Sequence, residues 1–128
     1  MSGDARQLLG AKGEAIARTH LEARGMAILD QNFRTRYGEL DVIAEDRRYL
    51  VFCEVKTRIE RGLGGAPAPL AAVGPRKRRQ LRFMAREWLS VRARERSAGA
   101  AELRFDAIGV LLDPGGRLLS LEHIEGAF

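Results

Sequence analysis

The sequence is 128 residues and 14.2 kDa, 45% hydrophobic and 30% charged. That suits one soluble globular domain over residues 1–128 and excludes both a multidomain machine and a disordered chain. The net charge of +5 is uneven: between Pro75 and Arg96 nine Lys and Arg face two acids, a charge of +7, which leaves −2 for the rest and argues against a uniformly basic coat protein.

The first element expected is a helix over about Asp4 to Arg24. Asp4 is a candidate N-cap, Leu9, Ile16, Ala17 and Leu21 recur at helical spacing, and Gly25 supplies a stop. Three strands follow, from Ala27 to Arg34, Glu39 to Glu45 and Tyr49 to Thr57. The third is apolar on both faces at Tyr49-Leu50-Val51-Phe52-Cys53, the pattern of a central strand covered on both sides. Gly62 to Pro69 is the one linker-like stretch. A second helix then starts near Pro75, with Gly74 as N-cap, and Leu81, Met84, Ala85, Trp88 and Leu89 form its buried stripe. A strand from Leu103 to Leu112 turns at Asp113-Pro114-Gly115-Gly116 into a short one at Arg117 to Leu121. This order, α-β-β-β-α-β with a final strand, predicts an α/β fold with a mixed sheet flanked by helices.

Single residues exclude further classes. Cys53, the lone cysteine, cannot close an internal disulfide and reads as a small buried hydrophobe. His20 and His123 show no partner pattern and read as structural. Trp88 and Phe83 read as core and flank. No apolar leader and no run of membrane-spanning length is present, so a cytoplasmic protein without a membrane partner is expected.

The acids stand where strands least favour them. Glu54 and Lys56 end the most hydrophobic strand, on the face of Leu50 and Phe52, and Asp41 interrupts Leu40-Asp41-Val42-Ile43-Ala44. A buried carboxylate needs a counter-charge, a metal or a wet cleft. Asp41 and Glu54 presented by neighbouring strands would suit Mg²⁺ or Mn²⁺. Lys56 could hold an attacking water; with only three lysines against 19 arginines, it stands out from an arginine-biased background. The Glu-x-Lys spacing by itself is about what chance supplies in such a chain. In the second helix Arg76, Lys77, Arg79, Arg82 and Arg86 form a ridge suited to phosphates, and Arg34 and Arg36 could extend it. The residues leave three classes open: a metal-dependent hydrolase, a nucleic-acid-binding module without turnover, and an adaptor for an acidic protein.

Gly13-Glu14, Asn32-Phe33-Arg34, Gly38-Glu39-Leu40-Asp41-Val42-Ile43-Ala44 and Phe52-Cys53-Glu54-Val55-Lys56-Thr57-Arg58 resemble the bacterial YraN-like family. Arg104-Phe105-Asp106 and the closing His123 to Phe128 are similar to it too, so the resemblance runs from about Gly10 onward. The family is placed in the PD-(D/E)XK nuclease superfamily and is similar in layout to archaeal Holliday-junction resolvases. The resemblance implies a restriction-endonuclease-like αβββαβ core and Mg²⁺-dependent phosphodiester hydrolysis in DNA. It implies Asp41 and Glu54 as metal ligands, the Val55 carbonyl as a further ligand, Glu14 as supplementary acid and Lys56 as the water-orienting residue. Glu39 lies outside that signature and would act from behind the ligands. Gly74 stands where the family often has Thr or Ser. A symmetric junction substrate would further imply a homodimer.

Overall fold

The computed structural model describes residues 3–60, 74–92 and 102–128. Helix α1 (Gly3–Ala23) leads into strands β1 (Ala27–Thr35), β2 (Gly38–Glu45) and β3 (Tyr49–Ile59). Helix α2 (Pro75–Arg92) precedes β4 (Glu102–Leu112) and β5 (Leu118–Ile124). The Gly62 to Pro69 stretch and Arg94 and Arg96 of the basic segment lie outside the described residues.

The five strands form one sheet in chain order. β3 and β4 pair in parallel, whereas β1–β2, β2–β3 and β4–β5 are antiparallel. The sheet is therefore mixed, and the apolar third strand occupies its centre, as its two-sided pattern predicts. Alternation along β3 sorts the core into two halves. Val51 and Cys53 join Ala17 and Leu21 of α1, Val42, Ala44, Ile108, Val110 and Leu112 on one face. Leu50 and Phe52 join Leu81, Met84, Ala85 and Trp88 of α2, with Leu40, Ile43 and Phe105, on the other. The result is three layers, helix on sheet on helix.

The boundaries have local causes. α1 stops at Gly25, whose φ of 86° only glycine adopts freely; Gly25 and Met26 donate back to the carbonyls of Glu22 and Leu21 at 3.0 and 3.1 Å. α2 begins at Pro75, as expected, and the Gly74 carbonyl accepts its first bond, from Arg78 at 3.1 Å. The indole of Trp88 donates to Asp30 at 2.9 Å, tying α2 to β1. β5 runs to Ile124, three residues beyond the expected end, because it pairs with β4 as far as Ala107. Phe83 is 45% exposed and stacks on Tyr37, on the flank as predicted. Among the described residues no helix is long and apolar enough to cross a membrane.

Candidate active site

The centre of the site is a place where two strands part. β2 and β3 pair only from Val42↔Cys53 to Glu45↔Leu50. Beyond Cys53, β3 continues beside β4 as far as Ile59, while β2 continues beside β1. Asp41 stands at the fork, and its Oδ2 accepts the Val55 N–H at 2.7 Å, replacing a ladder bond with a side-chain one. The in–out alternation of β2 slips here, since Leu40 and Ile43 face α2 but Val42 and Ala44 face α1.

Glu14, Glu39 and Asp41 converge at this fork, each offering a carboxylate oxygen within 4.8 Å of the others. Glu14 arrives from α1 because Gly13 lets the helix settle directly on β3. A Cβ at Gly13 would lie 1.7 Å from Thr57 Oγ1 and 2.8 Å from Thr57 Cβ, so the two backbones approach more closely than any other residue permits. Gly13→Ala is accordingly expected to lift α1 from the sheet and cost about 1–3 kcal/mol. Thr57→Ala in the same chain recovers only part, because its Cβ remains. Thermal unfolding measures this, and parent-like stability of Gly13→Ala would contradict the close approach.

Asn32 completes the cluster from β1, with a left-handed φ of 53° that asparagine tolerates better than most residues. With its amide assigned from the hydrogen-bond network, the nitrogen donates to Glu14 Oε2 at 2.8 Å and to Glu39 Oε1 at 2.8 Å. Neither Asn32 nor a direct place for Glu39 follows from strand alternation; the available signal was Asn32-Phe33-Arg34 and Gly38-Glu39 among the family blocks.

Burial and the neighbouring charges disfavour ionisation of Asp41 and Glu14. The Asp41 pKa is pushed up to about 6, by burial first, against the pull of the Val55 N–H, and further by the charges of Glu14, Glu39 and Glu54. Glu14 is also raised, by burial and then by Glu39, with Asn32 and Arg18 opposing. Hard oxygen donors packed so that their charges repel are a suitable set for a divalent cation.

Glu54 is placed differently from the sequence expectation of an Asp41–Glu54 pair. It stands outside the trio, on the α2 side of β3, with Lys77 Nζ at 3.2 Å and Lys56 Nζ at 3.6 Å from its Oε1. Two ammonium groups thus already neutralise it, although its charge still reaches Asp41. Val55 meets Asp41 through its amide nitrogen. Lys77, expected in the phosphate ridge, instead joins the helix to this strand end. Arg34 is engaged with Glu39 at 3.3 Å, and Arg36 lies 5.0 Å over the Tyr37 ring and donates to its hydroxyl. Arg76, Arg79, Arg82 and Arg86 are exposed on α2, with no acidic partner among the described residues.

A second polar cluster lies on the α1 face. Asp106, fully buried, accepts Arg104 Nε and Nη2 at 2.9 Å each, Gly126 N at 3.0 Å and His123 Nε2 at 2.8 Å. Burial pushes its pKa up, but the hydrogen bonds from His123, Arg104 and Gly126 outweigh that and hold it below the usual range. Because an ionised carboxylate only accepts, His123 carries its proton on Nε2, and in the neutral ring Nδ1 accepts from His20 Nε2 at 3.0 Å. His20 is held below its ordinary pKa by burial, His123 and Arg24. The two histidines, read from the sequence as structural and without a partner pattern, are partnered with each other. Cys53 lies buried on the same face, and burial pushes its thiol well above the ordinary range, which leaves it inert.

The family model described as "Uncharacterised protein family UPF0102" matches residues 13–110, a span that begins at the glycine beneath Glu14 and includes both polar clusters except for His20's partner His123 and its neighbours. A UPF0102 protein of Rhodococcus opacus (strain B4) is 46% identical over 121 residues, covering 94% of this chain and 95% of the relative. Another, of Acidothermus cellulolyticus, is 42% identical over 135 residues, covering 99% and 98%. A third, of Mycobacterium bovis, is 46% identical over 125 residues, covering 94% and 92%.

Proposed function

The chain belongs to the uncharacterised protein family UPF0102, and we propose that it is a divalent-metal-dependent nuclease that hydrolyses phosphodiester bonds in DNA, including structured or branched DNA. One observation carries this reading: Glu14, Glu39 and Asp41 converge at a strand fork, with Asp41 raised to about 6 by burial and like charge. Such crowding is costly unless something cationic relieves it. Asp41 and Glu14, with Glu39 and with Glu54 once a lysine releases it, would hold Mg²⁺ or Mn²⁺. When bound, the ion supplies positive charge at the phosphate and lowers the pKa of a water.

The chain's own residues supply the remainder. Lys56 is 58% exposed at the strand end and is free to leave Glu54 and donate to the attacking water or to the non-bridging oxygens as charge grows on them. The water oxygen bonds to phosphorus and gives up a proton to solvent, the bond to the leaving sugar oxygen breaks, and that oxygen takes up a proton from solvent. The exposed arginines of α2 hold flanking phosphates without reading sequence. A cytoplasmic location fits this role, and a homodimer would place two centres on a two-fold symmetric junction.

The test is purified protein with Mn²⁺ or Mg²⁺ on duplex, single-stranded and junction DNA. Metal-dependent cutting is expected, and Lys56→Ala is expected to slow it about 10²-fold or more, the usual cost of removing one transition-state donor. Absence of cutting, or equal cutting by Lys56→Ala, contradicts the reading. The alternative is a non-catalytic nucleic-acid-binding module that retains the nuclease fold. It is favoured by the neutralisation of Glu54 by Lys56 and Lys77, and it requires salt-sensitive, metal-independent binding.

A further inference from the structure

Tyr37, in the turn between β1 and β2, and Phe83, on α2, form a stacked pair with ring centroids 5.4 Å apart and planes 22° from parallel. The buried stripe of α2 is Leu81, Met84, Ala85 and Trp88, whereas Phe83 points off that stripe and stays 45% exposed among arginines. Its ring packs against Tyr37 and leaves part of its apolar surface open beside the arginines of α2.

Both rings carry cations. The Arg36 guanidinium lies 5.0 Å from the Tyr37 centroid and the Arg86 guanidinium 5.9 Å from that of Phe83. A guanidinium at ring level occupies the kind of position that a flat, polarisable nucleobase fills in a stack, and once displaced it is free to pair with a phosphate. The pair is also held in place. Gln80 of α2 donates to the Tyr37 carbonyl, and Gly38, next in the chain, packs beneath Gln80 and Met84. Tyr37 immediately precedes the strand that carries Glu39 and Asp41, and at about 3.3 Å per residue it lies about 13 Å along the chain from Asp41.

We propose that Tyr37 and Phe83 form a stacking platform for unpaired nucleobases, so that the substrate is single-stranded DNA or a duplex bearing a single-stranded segment. This rests on the nucleic-acid reading of the site and names its substrate class. The charge around the rings selects a polyanion. The aromatic faces select one whose bases are not already stacked in a duplex, because paired bases present only their edges to a surface. Fixed, stacked rings add affinity without sequence preference, in keeping with a ridge of arginines that contacts phosphate alone.

The experiment is equilibrium binding by fluorescence anisotropy in EDTA, where cleavage cannot proceed. The probes are a labelled oligothymidylate and a duplex of the same length, measured with the parent, Phe83→Ala, Phe83→Leu and Phe83→Trp. Phe83 is exposed, so these variants are expected to keep the fold, and matching thermal unfolding verifies it. Phe83→Ala and Phe83→Leu are expected to weaken single-strand binding about tenfold while duplex binding changes less than twofold, and Phe83→Trp is expected to retain parent affinity. Equal loss on both probes, full affinity in Phe83→Leu, or no single-strand binding by the parent overturns the proposal. So does displacement of the strand by polyglutamate at equal charge concentration, which would mark the surface as one for an acidic protein. Since no metal is present, failure here leaves the cleavage assay untouched, and failure to cleave leaves this binding result standing.

Discussion

Asp106→Ala is expected to destabilise the protein by about 4 kcal/mol, because it removes at once the acceptor shared by Arg104, His123 and Gly126. In the parent the carboxylate satisfies the Arg104 fork, the His123 ring and the Gly126 amide while wholly removed from water. Alanine leaves the guanidinium, whose side chain is 15% exposed, with the longer contact to Glu125 at 3.7 Å and the Tyr49 ring at 4.6 Å, neither of which replaces the lost pair of hydrogen bonds. For a chain of this length that corresponds to a fall in Tm of about 15 °C. The same bond set makes the fold acid-sensitive. The folded-state pKa of Asp106 lies below its ordinary value, so its contribution is complete above the unfolded carboxylate pKa of about 3.9 and is lost as pH falls through the lower folded value. Urea unfolding of parent and variant at neutral pH measures the difference, and a loss under about 1 kcal/mol would show that the cluster is not a structural anchor.

The consequence reaches the candidate site. His20, in the last turn of α1, and Arg24, just beyond it, are fastened to His123 and Glu125, and Glu14 lies earlier on the same helix. Besides the apolar packing of Ala17 and Leu21, α1 is therefore tied to the sheet by the polar cluster at its C-terminal end and by the Gly13–Thr57 approach beneath Glu14.

Asp41→Asn is expected to act in the opposite direction. It removes one charge from three crowded carboxylates yet keeps an oxygen for the Val55 N–H, so the metal-free protein gains stability on the order of 1–3 kcal/mol. The parent, by contrast, gains stability when Mn²⁺ is added: about 2.7 kcal/mol at a concentration 100 times the Kd, a rise in Tm of about 10 °C. The variant should show little of that response. A variant less stable than the parent without metal, or equally responsive to Mn²⁺, would mean that Asp41 is not part of a cation site.

Much of the fold is legible in the residues because its signals are local. The two-sided apolar run at Leu50–Cys53 marks the central strand, and the stripe Leu81, Met84, Ala85 and Trp88 marks the buried face of α2. The acids are legible as misplaced polar groups, but their grouping is not. Alternation from Leu50 and Phe52 puts Glu54 on the α2 side, where Lys77 meets it, while the fork and the slip in β2 carry Asp41 to Glu14 and Glu39. Strand separation depends on where a ladder stops, and no single-strand pattern encodes that. His20 and His123 stand 103 residues apart and meet only through α1 packing on β4 and β5, so neither shows a partner along the chain. Asn32 is a clamp only because its backbone is left-handed and two glutamates from other elements lie within its reach.

Isothermal titration of Mn²⁺ into the metal-free parent and into Asp41→Asn tests the metal centre most directly. One saturable site in the parent, lost or greatly weakened in the variant, is the expected result. No binding by the parent, or the same isotherm from both proteins, contradicts a metal centre at Glu14, Glu39 and Asp41.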